Sequence, residues 1–479
     1  MVFFTGCDVA PVKEQDAGKP AAVSAGPFKL KPEVDLSALQ QTDAVDVNLG
    51  HTPEAFVQAL WKQFTGELPD ADLIERYAAK LGSKAMPRRI DLAVTLAEEA
   101  GVEPKWIYSD PWKEQVALEA STDKTLDRDV GVVFMFFFTS PVAPNGGSGW
   151  ANNHAPGMFH ADPAYAFDYR GNTVAANGFY HPENAGFWYR ELKDARHAGL
   201  DFALLNVYGP DLHDQKMGPL RAGLKRLQEE DGENVVKIGM FDDTWTWGQP
   251  WFTPFWEQKP DCLDVKPTAK LLYEAKWKPF FEGVPREHWY LVEGRPMIYF
   301  YNNNTLKNKE NFDQVLPVMK ALFKADFGVE PWVAVDTAFN YRPTMKETSD
   351  SHFLWYTFGL PQKHASETRN GVKLTHSMVR WDSTSRWNDR KERAAQPDDL
   401  LEKDDTILKR VLNETRESDI LVLATWNDLG EGTGINRCYD YYWDGQWKQP
   451  NHFMNIVRRS QAGEVFEMPK PEPSIVKLN

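Results

Sequence analysis

Apolar residues run along this chain in two rhythms, and the rhythm has changed by Gly131. Between residues 51 and 101 they recur at helical spacing. Thr52 and Pro53 read as an N-cap followed by proline at the first helical position, and Phe56, Leu60 and Phe64 then repeat four apart. Leu73, Tyr77 and Leu81 make a second stripe, closed by Gly82. Ile90, Val94, Leu96 and Ala97 make a third before Gly101. The pattern predicts a small all-helical module.

Beyond it the apolar residues gather into short unbroken runs. "VVFMFFFTS", "DFALLNVYG", "VVKIGMFDDTW", "RPMIYFYNNN", "EPWVAVDTAF", "SHFLWYTFG", "VKLTHSMVRWD" and "DILVLATWNDLGEG" each suit a strand buried on both faces. Several are separated by helical patterns such as "NAGFWYRELKDARHAGL". Strand–helix alternation on this scale predicts parallel βα units, and a closed (β/α)8 TIM barrel is the economical arrangement. A doubly wound open sheet is the alternative, although no glycine-rich phosphate loop follows the first strand. The expected organisation is a signal remnant and tether over 1–27, the helical module and a linker over 28–125, the barrel over 126–463 and a tail over 464–479.

Polar residues collect directly after the apolar runs. They are Asn206, Tyr208 and Asp211; Asp242 and Asp243; Tyr301 to Asn304; Asp336; Trp355; Arg380 to Asp382; and Asn427, Asp428 and Glu431. In a (β/α)8 barrel such positions converge on one rim, where active sites are built. Taken singly, most of them read more readily as solvated loop residues.

Composition narrows the chemistry. The 479 residues include 18 Trp, 16 Tyr and 28 Phe, which suit either a large core or a cleft whose rings stack on sugars. A net charge of −15 argues against a nucleic-acid partner, which requires clustered cations. The densest basic run, Arg380, Arg386, Arg390 and Arg393, reads first as a solvated helical face. Cys7, Cys262 and Cys438 lie far apart with no metal-ligand spacing, so neither zinc nor a disulfide framework is expected. "MVFFTGCDVA" is similar to the end of a bacterial lipoprotein signal, with Cys7 as the lipid-bearing residue, although its apolar stub is short for that role. This points to an extracytoplasmic protein, anchored at the cell surface or in the periplasm, or secreted. No run of 18 apolar residues spans a membrane.

The segment "ATWNDLGEGTG" places Asp428 and Glu431 three apart after a buried run, beside Trp426 and Asn427 and among Gly430, Gly432 and Gly434. Glycosidic cleavage needs a proton donor and a second carboxylate, roughly 5–5.5 Å apart for direct attack and roughly 6.5–9.5 Å with a water between. A strand-end loop can bring this pair to either spacing. Burial against Trp426 would favour a protonated Glu431. The bare D-x-x-E pattern is weak, and its context strengthens it.

"TWNDLGEGTGI" resembles the signature of glycoside hydrolase families 71 and 99. In them a W-N-D/E-x-x-E or F-N-E-W-x-E-G-T segment ends a late strand of a (β/α)8 barrel. "WYRELKDARHAGLDFALLNVYG" and "RPMIYFY" are similar to earlier helix and strand segments of the same families. The resemblance implies cleavage of an α-linked glucan or mannan, with Asp428 as base and Glu431 as proton donor. In family 99 the first acid is held to act on the sugar 2-hydroxyl. The chain departs from family 99 at "MFDDTW", where Asp242 or Asp243 takes the place of a glutamate, and at Asn436, again in place of a glutamate.

Further candidate substrate contacts are Asn206, Tyr208, Asp242, Asp243, Trp245, Trp247, Tyr301, Asp336, Trp355, Arg380, Trp426 and Asn427. "WTWGQPWF" reads as a substrate wall. Trp355 and Tyr356 read first as core, and Arg380 suits a substrate charge or a helix cap equally. His160 suits a sugar contact or a core position. A poly- or oligosaccharide substrate, no cofactor and a monomer are the expectations. The rivals are a non-catalytic glycan-binding barrel, and a metal-dependent hydrolase using Asp242, Asp243 and Asp336 with His160, His181 or His213. The second rival lacks H-x-H or H-E-x-x-H spacing.

Overall fold

A computed structural model describes residues 44–46, 53–80, 92, 95–96, 99–101, 106–108, 124–135, 182, 185–207, 214–232, 235–244, 260–301, 306–337, 344–357, 360–381, 404–428, 433–437, 441–444, 446–449 and 451–468. Strand β1 (Ala44–Asp46) pairs in parallel with β2 (Trp106–Tyr108). Between them in sequence lie helices α1 (Pro53–Thr65) and α2 (Ala71–Ala78). The carboxylate of Asp70 accepts the Leu73 amide at 2.7 Å, a cap that contributes about 1 kcal/mol. Phe56, Val57 and Leu60 pack with Leu73, Tyr77, Leu92 and Leu96 into a small core of their own. Leu81, Gly82, Ile90, Val94 and Ala97, expected in the second and third stripes, lie outside the described residues.

The large core belongs to the alternating part of the chain. Its elements open with β3 (Asp129–Phe134), α3 (Ala185–His197), β4 (Phe202–Val207), α4 (Asp214–Asp231) and β5 (Lys237–Asp243). Next come α5 (Val265–Leu272), a π segment (Tyr273–Trp277), α6 (Lys278–Gly283), β6 (Leu291–Val292), β7 (Arg295–Tyr301) and α7 (Phe312–Phe327). Then follow β8 (Trp332–Asp336), α8 (Met345–Thr348), β9 (Ser351–Phe353), β10 (Ala365–Arg369) and β11 (Val372–Met378). The last are α9 (Thr406–Glu414), β12 (Ile420–Ala424), the hairpin β13 (Tyr442–Trp443) and β14 (Gln446–Trp447), and α10 (His452–Gln461).

Eight strands run parallel in the order β11-β12-β3-β4-β5-β7-β8-β9. These are the eight apolar runs, and together they form a nearly closed (β/α)8 barrel. Two strands join this sheet antiparallel where the sequence predicts none, β6 on β7 and β10 on β11. The seam between β9 and β10 is bridged by a side chain. The Glu367 carboxylate accepts the His352 amide at 2.6 Å and the Ser351 hydroxyl at 3.2 Å, and it meets His352 Nδ1 at 3.0 Å.

Strands such as β4 and β12 are buried along their whole length because both faces are covered. Outward residues meet the helices: Phe134 packs on Phe187 and Trp188, and Phe300 stacks on Phe312. Inward residues fill the lumen. Near the N-terminal ends of the strands Phe202 stacks on Tyr290 at 3.8 Å, and Gly131 makes room, since a Cβ there would lie 2.2 Å from the Phe202 ring. Higher up, Tyr299 stacks on Phe353 at 4.1 Å, with His376 beside both. The barrel is a packed core rather than a pore. Among the described residues no helix is long and apolar enough to cross a membrane.

Candidate active site

In a parallel ladder, paired residues share a face, so the register decides which strand-end residues look into the barrel. Asn206 pairs with Phe241, Asp243 with Tyr301, and Asp336 with Phe353. Phe241, Tyr301 and Trp355 meet one another at ring distances of 5.0 to 5.6 Å. Phe353 and Trp355 both touch the lumen ring of His376. Asn206, Asp243, Tyr301, Asp336 and Trp355 therefore gather at the C-terminal mouth around an aromatic floor. Asp243 is 9% exposed, and Asp336 is fully buried.

Asn206 is buried, and its amide donates to Met135 Sδ at 3.1 Å. Among the described residues its Oδ1 accepts no hydrogen bond. A buried acceptor without a donor is costly, and a substrate hydroxyl would relieve it.

Asp242 behaves differently from its neighbour. Successive strand residues face opposite sides, so its carboxylate turns to the helix layer. There it meets Lys276 Nζ at 2.9 Å and Trp277 Nε1 at 2.8 Å, fully buried. Its oxygens hold the fold, which leaves Asp243 as the member of the pair at the mouth. Arg380 is also engaged elsewhere: its guanidinium lies over the Tyr441 and Phe453 rings, 5.0 and 5.2 Å from their centroids, and donates to the Gly434 carbonyl.

The segment after β12 enters with a cis Ala424–Thr425 peptide. Trp426 is fully buried, with its indole N–H donating to Glu191 of α3 at 2.7 Å. Asn427 pairs with the Met135 backbone, accepting its amide at 2.7 Å and donating to its carbonyl at 2.6 Å. That link extends the β12–β3 contact beyond the end of the ladder. The next residue, Asp428, is 9% exposed. Glu431, Trp245, Trp247, Tyr208, Cys7, His160, His181 and His213 lie outside the described residues.

One candidate went unread in the sequence. Lys309 lies half-buried near Asp336; burial pushes its ammonium pKa down, against the smaller upward pull of Glu310 and Asp336. It sits in a polar stretch, "NNNTLKNKEN", where nothing marks one lysine over its neighbours. Among the described residues no group of three or more His, Cys, Asp or Glu is arranged to hold a metal. Cys262 is buried, and burial pushes its thiol up to about 12, which makes it unreactive.

These observations define the class: a (β/α)8 barrel with carboxylates and aromatic rings at the C-terminal mouth. The chain belongs to the family described as "Domain of unknown function (DUF5010)", whose model matches residues 148–471. Among solved structures it is similar to a GH99 endo-α-mannosidase from Bacteroides thetaiotaomicron in complex with BIS-TRIS-propane. The identity is 12% and the TM-score 0.43, over 70% of this chain and 97% of that one. A second structure of the GH99 endo-α-mannosidase from Bacteroides thetaiotaomicron matches at 11% identity and the same score and coverage. A glycoside hydrolase-like protein matches at 13% identity and a TM-score of 0.42, over 71% and 95% of the two chains. No curated protein matches the chain.

Proposed function

We propose that this protein hydrolyses glycosidic bonds in a poly- or oligosaccharide, with Asp428 and Glu431 as the acid pair. One observation supports the reading above the others: Asp243 and Asp336 look into the mouth of the barrel beside Tyr301 and Trp355, at the end of the barrel that the Asp428 segment also reaches. Aromatic faces suit the apolar faces of sugar rings, and carboxylates suit both their hydroxyls and the proton transfers of cleavage. The "WNDLGE" segment adds the two-acid pattern that this chemistry requires. Asn206 and Asp243 are assigned to sugar hydroxyls, and Trp355 and Tyr301 to the ring face.

The test is reducing-sugar release from a panel including α-1,3-glucan, α-mannan and sulfated marine glycans, with binding to the same glycans measured in parallel. Release from one of them is expected. Binding without release would make the protein a glycan-binding barrel instead.

A further inference from the structure

Helix α3 carries two buried carboxylates one turn apart, Glu191 and Asp194, each 2% exposed. Glu191 Oε2 accepts the Trp426 indole N–H at 2.7 Å and the Asn436 side-chain amide at 3.5 Å. Asp194 takes both arms of Arg437, Nε and Nη2, at 2.9 Å each. Burial pushes the Asp194 carboxyl up, but Arg437, with Arg190 and His197, outweighs it and holds the group below its usual range. Residues on both sides of the segment from Asn427 to Ile435 are thus fastened to one helix, at positions three apart that share a face.

The neck of that segment is also tied. Thr425 Oγ1 meets Thr433 Oγ1 at 2.8 Å and accepts the Asp428 amide at 2.9 Å. The Thr433 amide donates to the Asp428 carbonyl at 3.1 Å, and the Ile435 and Asn436 amides both donate to the Trp426 carbonyl. Stability alone does not require an ion pair at this depth. Apolar residues of the same volume are often as stabilising, because two charges lose their hydration. What the fork of Arg437 on Asp194 adds is direction, two parallel bonds that fix an orientation.

We infer that Glu191 and Asp194 are positioning residues, which through Trp426 and Arg437 hold Asp428 and the strand end that carries it in their working orientation. The inference rests on the proposed function for its catalytic meaning, and its physical content stands apart from it. The experiment replaces the pair together, Asp194→Leu with Arg437→Met, so that no charge is left buried alone. Two quantities are read: amide hydrogen exchange at Asp428, Thr433 and Ile435, and the split between kcat and KM on the glycan the wild type cleaves. The clamp predicts loop exchange faster by about tenfold or more, with the barrel strands unchanged. It also predicts kcat lower by about 100-fold with KM within about threefold, as for a small displacement of reacting groups.

Unchanged loop exchange would overturn the clamp whatever the activity. Faster exchange with wild-type kcat would overturn its bearing on catalysis. Where the double variant does not fold, Arg437→Lys keeps the charge, loses the fork, and is read by the same two measurements. A wild type that releases no sugar would count against the hydrolase reading alone, and the exchange data would then decide the clamp.

Discussion

The Asp242 carboxylate and the Lys276 ammonium meet at 2.9 Å behind the barrel wall, with neither side chain exposed. Lys276 spends its other two protons on the carbonyls of Val207 and Asp243, at 3.2 and 2.6 Å. One ammonium therefore ties together the C-terminal ends of β4 and β5, the strands that carry Asn206 and Asp243. It stands in the π segment of the α5–α6 helix, and such an extra residue re-aims the side chains around it.

Removing one partner leaves a buried charge alone. Lys276→Met is expected to cost about 3–5 kcal/mol of stability. Adding Asp242→Leu should recover a large part of that loss, since an apolar pair needs no hydration. Urea unfolding of the wild type, the single and the double variant reads this out. A single variant as stable as wild type would contradict the account.

The adjacent acids should separate in their effects. Asp243→Asn is expected to raise KM about tenfold by weakening a contact to a sugar hydroxyl, while the melting temperature stays near wild type. Asp242→Asn is expected to lower the melting temperature, because Lys276 loses its counter-charge. Steady-state kinetics beside calorimetry measures both. The opposite pattern would place Asp242 at the mouth and Asp243 behind it.

His376 sets a pH dependence. It is buried in the lumen, and burial lowers its pKa from 6.5 to about 3, against a smaller upward pull from the Trp355 carbonyl. In the unfolded chain it takes a proton near its ordinary pKa, and in the folded protein only near 3. Between those values the unfolded state binds more protons, so stability falls as pH falls, by about 1.4 kcal/mol per pH unit from this group. Unfolding free energies of wild type and His376→Phe, measured between pH 7 and pH 4, should diverge, with the variant flatter. Parallel curves would show that His376 takes no part in the acid sensitivity.

Much of the barrel was legible because its strands are buried on both faces. A run such as "DFALLNVYG" or "DILVLA" has no polar side to confuse the reading. β10 was not legible: "ASETR" alternates half-buried and exposed positions and reads as loop. The run "SHFLWYTFG" overstated its strand, which ends at Phe353, because Trp355 serves the aromatic floor rather than the ladder.

At the site, position along the chain indicated the rim but not the facing. Asp242 and Asp243 are equivalent as sequence, and the pairing of Asp243 with Tyr301 separates them. Nor does the sequence show that the Trp426 indole N–H meets Glu191 and the Asn427 amide meets Met135. Glu191 and Asp194 gave no signal at all. They sit in an ordinary helical pattern, and their partners lie more than 230 residues further on.

The most direct test of the account compares wild type with Asp428→Asn and Glu431→Gln on the glycan that the wild type cleaves. Each variant should retain its circular dichroism spectrum and melting temperature and lose about 10²- to 10⁴-fold in kcat, the scale of a lost acid or base. Full activity in either folded variant would contradict the assignment of these two acids to catalysis.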